Sequence, residues 1–150
     1  MKKIVFFILT FVVVLSSCKS NDDNVTPTKT NKEYISAKTW ILDELSSGGV
    51  ITIYKKGATT NLYDFSKLEL VLKSDGSVTG TDYLGQAIKG GTWAVNSDQT
   101  KVIFTNVNIQ SLILSGEFTL NKINDTNFDV RGNVSYEGQN IDAIVKLIAK

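Results

Sequence analysis

Asn127-Phe128-Asp129-Val130-Arg131-Gly132-Asn133-Val134-Ser135-Tyr136 is the stretch whose reading decides the fold. Phe128, Val130 and Val134 alternate with Asp129, Arg131 and Asn133, and Gly132 falls on the apolar side. Successive side chains of a strand point to opposite faces. A period of two over ten residues therefore describes a strand with one face in a core and the other in water.

The same alternation extends in both directions. Glu137-Gly138 closes a hairpin into residues 141–148, where Ile141, Ala143, Val145 and Leu147 share a face. Before the opening stretch, Asn124-Asp125 marks a turn, and residues 112–123 carry Phe118 and Leu120 inward. Residues 101–105 place Val102 and Phe104 together, and residues 86–95 read as a strand interrupted by Gly90-Gly91 just before Trp93. Glycine inside a strand often marks a bulge or bend of the kind a curved sheet needs. Asp75-Gly76 is a hairpin signal, since the pair tolerates positive φ. It joins residues 65–72, with Leu68, Leu70 and Leu72 inward and Glu69 outward, to residues 77–83. Earlier still, residues 50–54 are β-branched, residues 55–61 form a polar loop, and residues 39–45 start the series with Trp40 and Leu42 on one face.

Eight or nine strands thus follow one another through short turns with no crossover helix. The fold class is all-β. Antiparallel sheets of this length escape unpaired edges by closing on themselves or splitting into a sandwich. Sequential hairpins favour an antiparallel up-and-down β-barrel of about eight strands, wide enough to be filled by side chains or to hold one small ligand.

Several of these segments together resemble the lipocalin-like domains of Bacteroidota lipoproteins: Thr39-Trp40-Ile41-Leu42, the leucine-rich strand before Asp75-Gly76, Gly91-Thr92-Trp93, and Phe118-Thr119-Leu120-Asn121. The resemblance covers residues 33–150 and implies a barrel domain over that span. Here the Gly-x-Trp pattern lies mid-chain, and Lys38 stands two residues before Trp40 where that family has its glycine.

The inward set comprises Trp40, Leu42, Leu70, Leu72, Trp93, Phe104, Phe118, Phe128 and Val130. These side chains either line a pocket for a small hydrophobic ligand or fill the barrel as core. An apolar cavity of about 300 Å³ or more would support the first reading, and a packed interior would refute it and shift weight to the outer face. Tyr54, Tyr63, Tyr83 and Tyr136 sit near strand ends, where an aromatic body with a polar tip suits the rim of a cup.

Composition excludes more than it suggests. There is no histidine, which removes Ser-His-Asp and Cys-His nucleophile systems and the commonest zinc ligand. Adjacent Asp43 and Glu44 are expected on opposite faces of their strand, a poor acid–base pair. Asp64, Glu69, Asp82 and Glu117 would make a glycosidase pair only if two came within about 5 to 10 Å across the sheet and otherwise read as solvated surface, while Asp75, Asp98, Asp125 and Glu137 belong to turns. No basic stripe suits nucleic acid. No cofactor or metal is expected, and the protein reads as non-enzymatic.

The chain opens with Met1-Lys2-Lys3 and a short apolar run over residues 4–15, the pattern of a signal peptide and too short to span a bilayer as a helix. Leu15-Ser16-Ser17-Cys18 resembles a bacterial lipobox. That resemblance implies removal of residues 1–17, a helical signal peptide, and acylation of Cys18, the single cysteine. Without Lys2 and Lys3 the 16 basic residues become 14 against 15 acidic ones, a net charge of about −1. Residues 18–32, polar and aperiodic, read as a disordered tether. Asp22 and Asp23 resemble the acidic export signal of surface lipoproteins. The implied location is the outer membrane, on its periplasmic face or at the cell surface, with the membrane as partner through the lipid anchor.

Overall fold

The computed structural model describes residues 28–150. The expected signal peptide, Cys18 and most of the tether lie outside the described residues.

Among the described residues there are nine strands and one short helix: α1 (Asn31–Ser36), β1 (Thr39–Ser47), β2 (Ile51–Lys55), β3 (Glu69–Leu72), β4 (Val78–Thr81), β5 (Thr92–Val95), β6 (Lys101–Ile109), β7 (Leu112–Ile123), β8 (Asn127–Tyr136) and β9 (Gln139–Ala149). All pair antiparallel, in the order β4-β3-β1-β9-β8-β7-β6-β5, with β2 also on β1. Two bridges, Ser77↔Thr92 and Thr81↔Ala87, bring β4 back to the approach to β5, so the sheet is a nearly closed barrel.

Nine strands make eight staves. β2 pairs with the second half of β1 (Glu44↔Lys55 to Ser47↔Ile51), and β3 pairs with its first residues (Thr39↔Val71 to Ile41↔Glu69). The two run the same way along one edge of β1 and are halves of a single broken stave. Residues 56–68 leave the wall between them and return.

The alternation over Asn127–Tyr136 is observed as read, and β8 pairs with β9 without a break from Asn127↔Ile148 to Tyr136↔Gln139. Gly132 leaves no room for a side chain. A Cβ there would sit 2.5 Å from the Phe118 ring, which lies across the glycine and meets Phe104 edge-on at 5.3 Å.

Three expectations are corrected. The strand expected over 86–95 is confined to Thr92–Val95, because Gly90 and Gly91 both adopt positive φ and turn the preceding chain away from β6. Asp43 and Glu44 do not face opposite ways. A register shift between Leu42 and Glu44 against β9 puts both carboxylates outside, while Leu42 and Leu45 both point inward. The tether expected over 18–32 also ends sooner, since Thr30 caps α1. Its side chain accepts from the Glu33 amide at 3.2 Å, and the Glu33 carboxylate accepts from the Thr30 amide at 2.6 Å. Lys29 pairs with Asp125 and Asn31 bonds Gln99, fixing this segment to the β7–β8 and β5–β6 turns. Buried Ile35 then plugs that end of the barrel, and its carbonyl accepts from the Trp40 indole N–H at 2.8 Å.

Gly132→Ala should destabilise the fold by about 1–3 kcal/mol, the range for overpacking a filled core. Urea unfolding reads this directly; an unchanged midpoint would mean that the Phe118 ring has somewhere else to go.

Candidate functional site

None of the nine inward residues, Trp40, Leu42, Leu70, Leu72, Trp93, Phe104, Phe118, Phe128 and Val130, exposes more than 4% of its surface. Trp40 packs on Phe128 at 5.4 Å between ring centroids, and the Trp93 indole donates to the Lys73 carbonyl at 2.8 Å. Six of the nine (Leu42, Leu70, Phe104, Phe118, Phe128, Val130) surround a void of about 40 Å³ with no polar lining. That space is of the order of one water molecule, and its walls offer a water nothing to bond. The void falls far short of the volume a ligand pocket needs.

Space opens instead at the end away from α1. There a cup of about 170 Å³ is lined by Ile53, Leu62, Tyr63, Phe65, Tyr136 and Ile141, among others. The excursion over residues 56–68 builds it. Asn61 holds the base of the excursion, accepting from the Lys55 amide and donating to the Lys55 and Ala58 carbonyls. Asp64 accepts from the Ser66 amide, and Phe65 drops into the barrel mouth. The Phe65 ring meets Tyr54 at 5.8 Å, Tyr63 at 6.2 Å and Tyr83 at 5.1 Å, and Tyr63 meets Tyr136 at 5.7 Å. The four strand-end tyrosines are therefore one cluster. The Tyr136 phenol is pushed up to about 12, first by the Tyr63 hydroxyl beside it and then by burial. It stays protonated at neutral pH and serves as a hydrogen-bonding group, not a base.

Around the cup stand the most exposed large apolar side chains: Val50 (88%), Ile51, Leu62, Tyr63, Leu84 and Ile113. All belong to the loops and strand ends opposite α1. Among the described residues no group of three or more Cys, Asp or Glu side chains could hold a metal, and no helix is long and apolar enough to cross a membrane.

Glu69 pairs with Lys150, Glu117 with Lys101, and Asp64 with its own turn. Asp82 departs from the solvated reading: it is buried, and its carboxylate accepts from the Leu84 and Gln86 amides and from Gln110 Nε2 at 2.6 Å. On the outer wall, Lys55, Glu44, Lys146, Asp129 and Lys122 are successive partners across β2, β1, β9, β8 and β7. Lys55 bridges Asp43 at 3.0 Å and Glu44 at 3.1 Å, and Lys146 reaches Glu44 at 2.7 Å. These bonds from Lys146 and Lys55 hold the Glu44 carboxyl below its ordinary range. Asp129 fares differently. One of its oxygens is buried without a partner, and burial pushes its carboxyl up despite Lys122 and Lys146.

Of the cup-forming Ile53, Leu62 and Ile141, the sequence placed Ile141 on an apolar strand face, but none of the three was among the expected ligand-lining residues. Leu62 carried the one available signal, an isolated large apolar residue beside a polar loop. No protein-family model, curated protein or solved structure matches the chain.

Because Asp129 has a raised folded-state pKa, its charge opposes folding above that value and is without effect once both states are protonated. Asp129→Asn should therefore raise the urea midpoint at pH 7 and lose that advantage by pH 3. A variant less stable than the parent at pH 7 would mean that Asp129 makes a favourable charged interaction.

Proposed function

We propose that this protein is an exported, non-catalytic binding module, held at the outer membrane by an acylated Cys18, with a lipocalin-like barrel that takes a small hydrophobic ligand at its open end. The observation that carries this reading is the contrast between the interior void of about 40 Å³ and the apolar cup of about 170 Å³ at the mouth. Ligand sites are concave and largely apolar with a few polar groups to orient the guest. The cup has that make-up, with Tyr63 and Tyr136 as the polar tips. At about 170 Å³ it is smaller than the roughly 300 Å³ of an ordinary ligand pocket and suits only a short acyl chain or one ring system.

The placement of the cup supports a tethered role. Residue 30 enters at the α1 end, and β1 runs about 26 Å at roughly 3.3 Å per residue before reaching the mouth. A chain anchored at Cys18 would thus hold the cup on the side away from the attachment. The lack of histidine supports the non-catalytic part. A second reading, in which the filled barrel binds a protein or envelope polymer through its loops, is favoured by Val50 and Ile51, which stand exposed outside the cup lining.

Titration with 1-anilinonaphthalene-8-sulfonate should show saturable binding that Leu62→Asp weakens at least about tenfold, or 1.4 kcal/mol, and that Leu42→Ala in the interior leaves unchanged. Dependence on Leu42 in a still-folded variant would move the site inside and overturn the assignment. Native mass spectrometry of the purified protein should reveal a small apolar adduct; a co-purifying polypeptide would favour the second reading. For the anchor, Cys18→Ser should release the protein from the membrane fraction, and unaltered fractionation would argue against acylation.

A further inference from the structure

We infer that the seam between residues 82–91 and the second half of β6 is a separate binding site for a polyhydroxylated ligand, a glycan. The seam exists because β5 accompanies β6 only as far as Thr92↔Thr105. Gly91 touches β6 once more, so closely that a Cβ would sit 2.7 Å from the Val107 Cα, and the chain before it peels away. The gap is a polar pocket of about 260 Å³ lined by Asp82, Gln86, Ala87, Lys89, Asn108 and Gln110. It shares no lining residue with the apolar cup.

A buried carboxylate sets the orientation of this lining. Asp82, 3% exposed, accepts from the Leu84 amide at 2.9 Å and the Gln86 amide at 2.8 Å through Oδ1, and from Gln110 Nε2 at 2.6 Å through Oδ2. Burial pushes this carboxyl up, but the bonds from Gln110 and the backbone amides outweigh it, and the group is held below its ordinary range. The Gln110 side chain must therefore present its NH₂ to Asp82, and that NH₂ also reaches Gln86 Oε1 at 3.2 Å. Gln110 Oε1 and Gln86 Nε2 are left as an acceptor and a donor without a hydrogen-bond partner among the described residues. The Asn108 amide and the Lys89 ammonium stand beside them with no protein hydrogen bond among the described residues. Gln110 also holds φ +57°, a conformation that non-glycine residues adopt at a cost of about 1 kcal/mol or more.

The paired amides of Gln110 and Gln86, with the Asn108 amide beside them, offer donors and acceptors that match sugar hydroxyls, each of which donates one hydrogen bond and accepts others. The Ala87 methyl adds a small apolar spot for a ring C–H face. A divalent cation does not suit the pocket, because its one carboxylate is already saturated by three donors. Lys89 would additionally favour a uronate over a neutral sugar.

The test is a ¹⁵N–¹H NMR titration of the purified protein, following the side-chain NH₂ signals of Gln86, Asn108 and Gln110, with maltotetraose and with tetragalacturonate. Saturable shifts with either sugar are expected, weakened at least about fivefold by Asn108→Ala. Lys89→Ala should weaken the uronate arm alone. No saturable shift with either sugar to about 50 mM, well past a millimolar Kd, overturns the proposal. Shifts that Asn108→Ala leaves unchanged overturn it equally. Because the two sites share no residue, loss of one reading leaves the other standing.

Discussion

The pairing of β1 with β9 is the constraint on which the rest of the structure depends. It joins Trp40 to Ala149 and Ser47 to Ala143, and across it Glu44 meets Lys146 from 102 residues away. Without this seam the sheet would present two long raw edges, an open invitation to pairing with other chains. With it, every inward side chain faces another across a closed space narrow enough for side chains to fill. The filling leaves about 40 Å³, so the fold comes close to the density of a well-packed interior. A pairing between such distant segments carries a loop-closure entropy cost that many contacts must offset.

Closure also dictates where the wall must be irregular. Curving strands around a small barrel needs bulges, and they occur at Leu42/Glu44 on β1, between Phe104 and Val107 on β6, and on β7 between Leu114 and Thr119. The first two have chemical consequences. The β1 bulge turns Asp43 and Glu44 to the same side, where Lys55 bridges them. The β6 irregularity, with Asn106 at φ +52°, lies beside the point where residues 82–91 part from the wall. The broken β2/β3 stave releases residues 56–68, whose Phe65 and Tyr63 build the apolar cup. Apart from the orphaned Asp129 oxygen, the polar groups left over for binding lie where the regular pattern fails.

The outer wall follows a different logic from the interior. Alternating charges run across five strands from Lys55 to Lys122, but exposed pairs of this kind contribute little each. What they do supply is register. A one-residue slip would send Asp129, Lys146 and Glu44 toward the core and Phe128, Leu147 and Leu45 into water. Asp129, with an orphaned oxygen, shows that the stripe is not optimised for stability at every position.

The sequence by itself determined the parts governed by nearest neighbours. Alternation placed Phe128, Val130 and Val134 inside, the Leu112–Ile123 and Asn127–Tyr136 strands were legible to their ends, and Asp75-Gly76 announced its hairpin. These follow from a strand's two-residue period and from the few residues that tolerate positive φ. Tyr54, Tyr63, Tyr83 and Tyr136 were legible as strand-end tyrosines, but that they gather around Phe65 was not, because three different loops and strands bring them there. Only the tertiary structure decided that the barrel is full, that β2 and β3 are one stave, that α1 closes one end, and that Asp82 is buried beneath Gln110. Volume, closure and burial of a loop carboxylate depend on residues distant in the chain, and no local pattern encodes how much space their side chains leave between them.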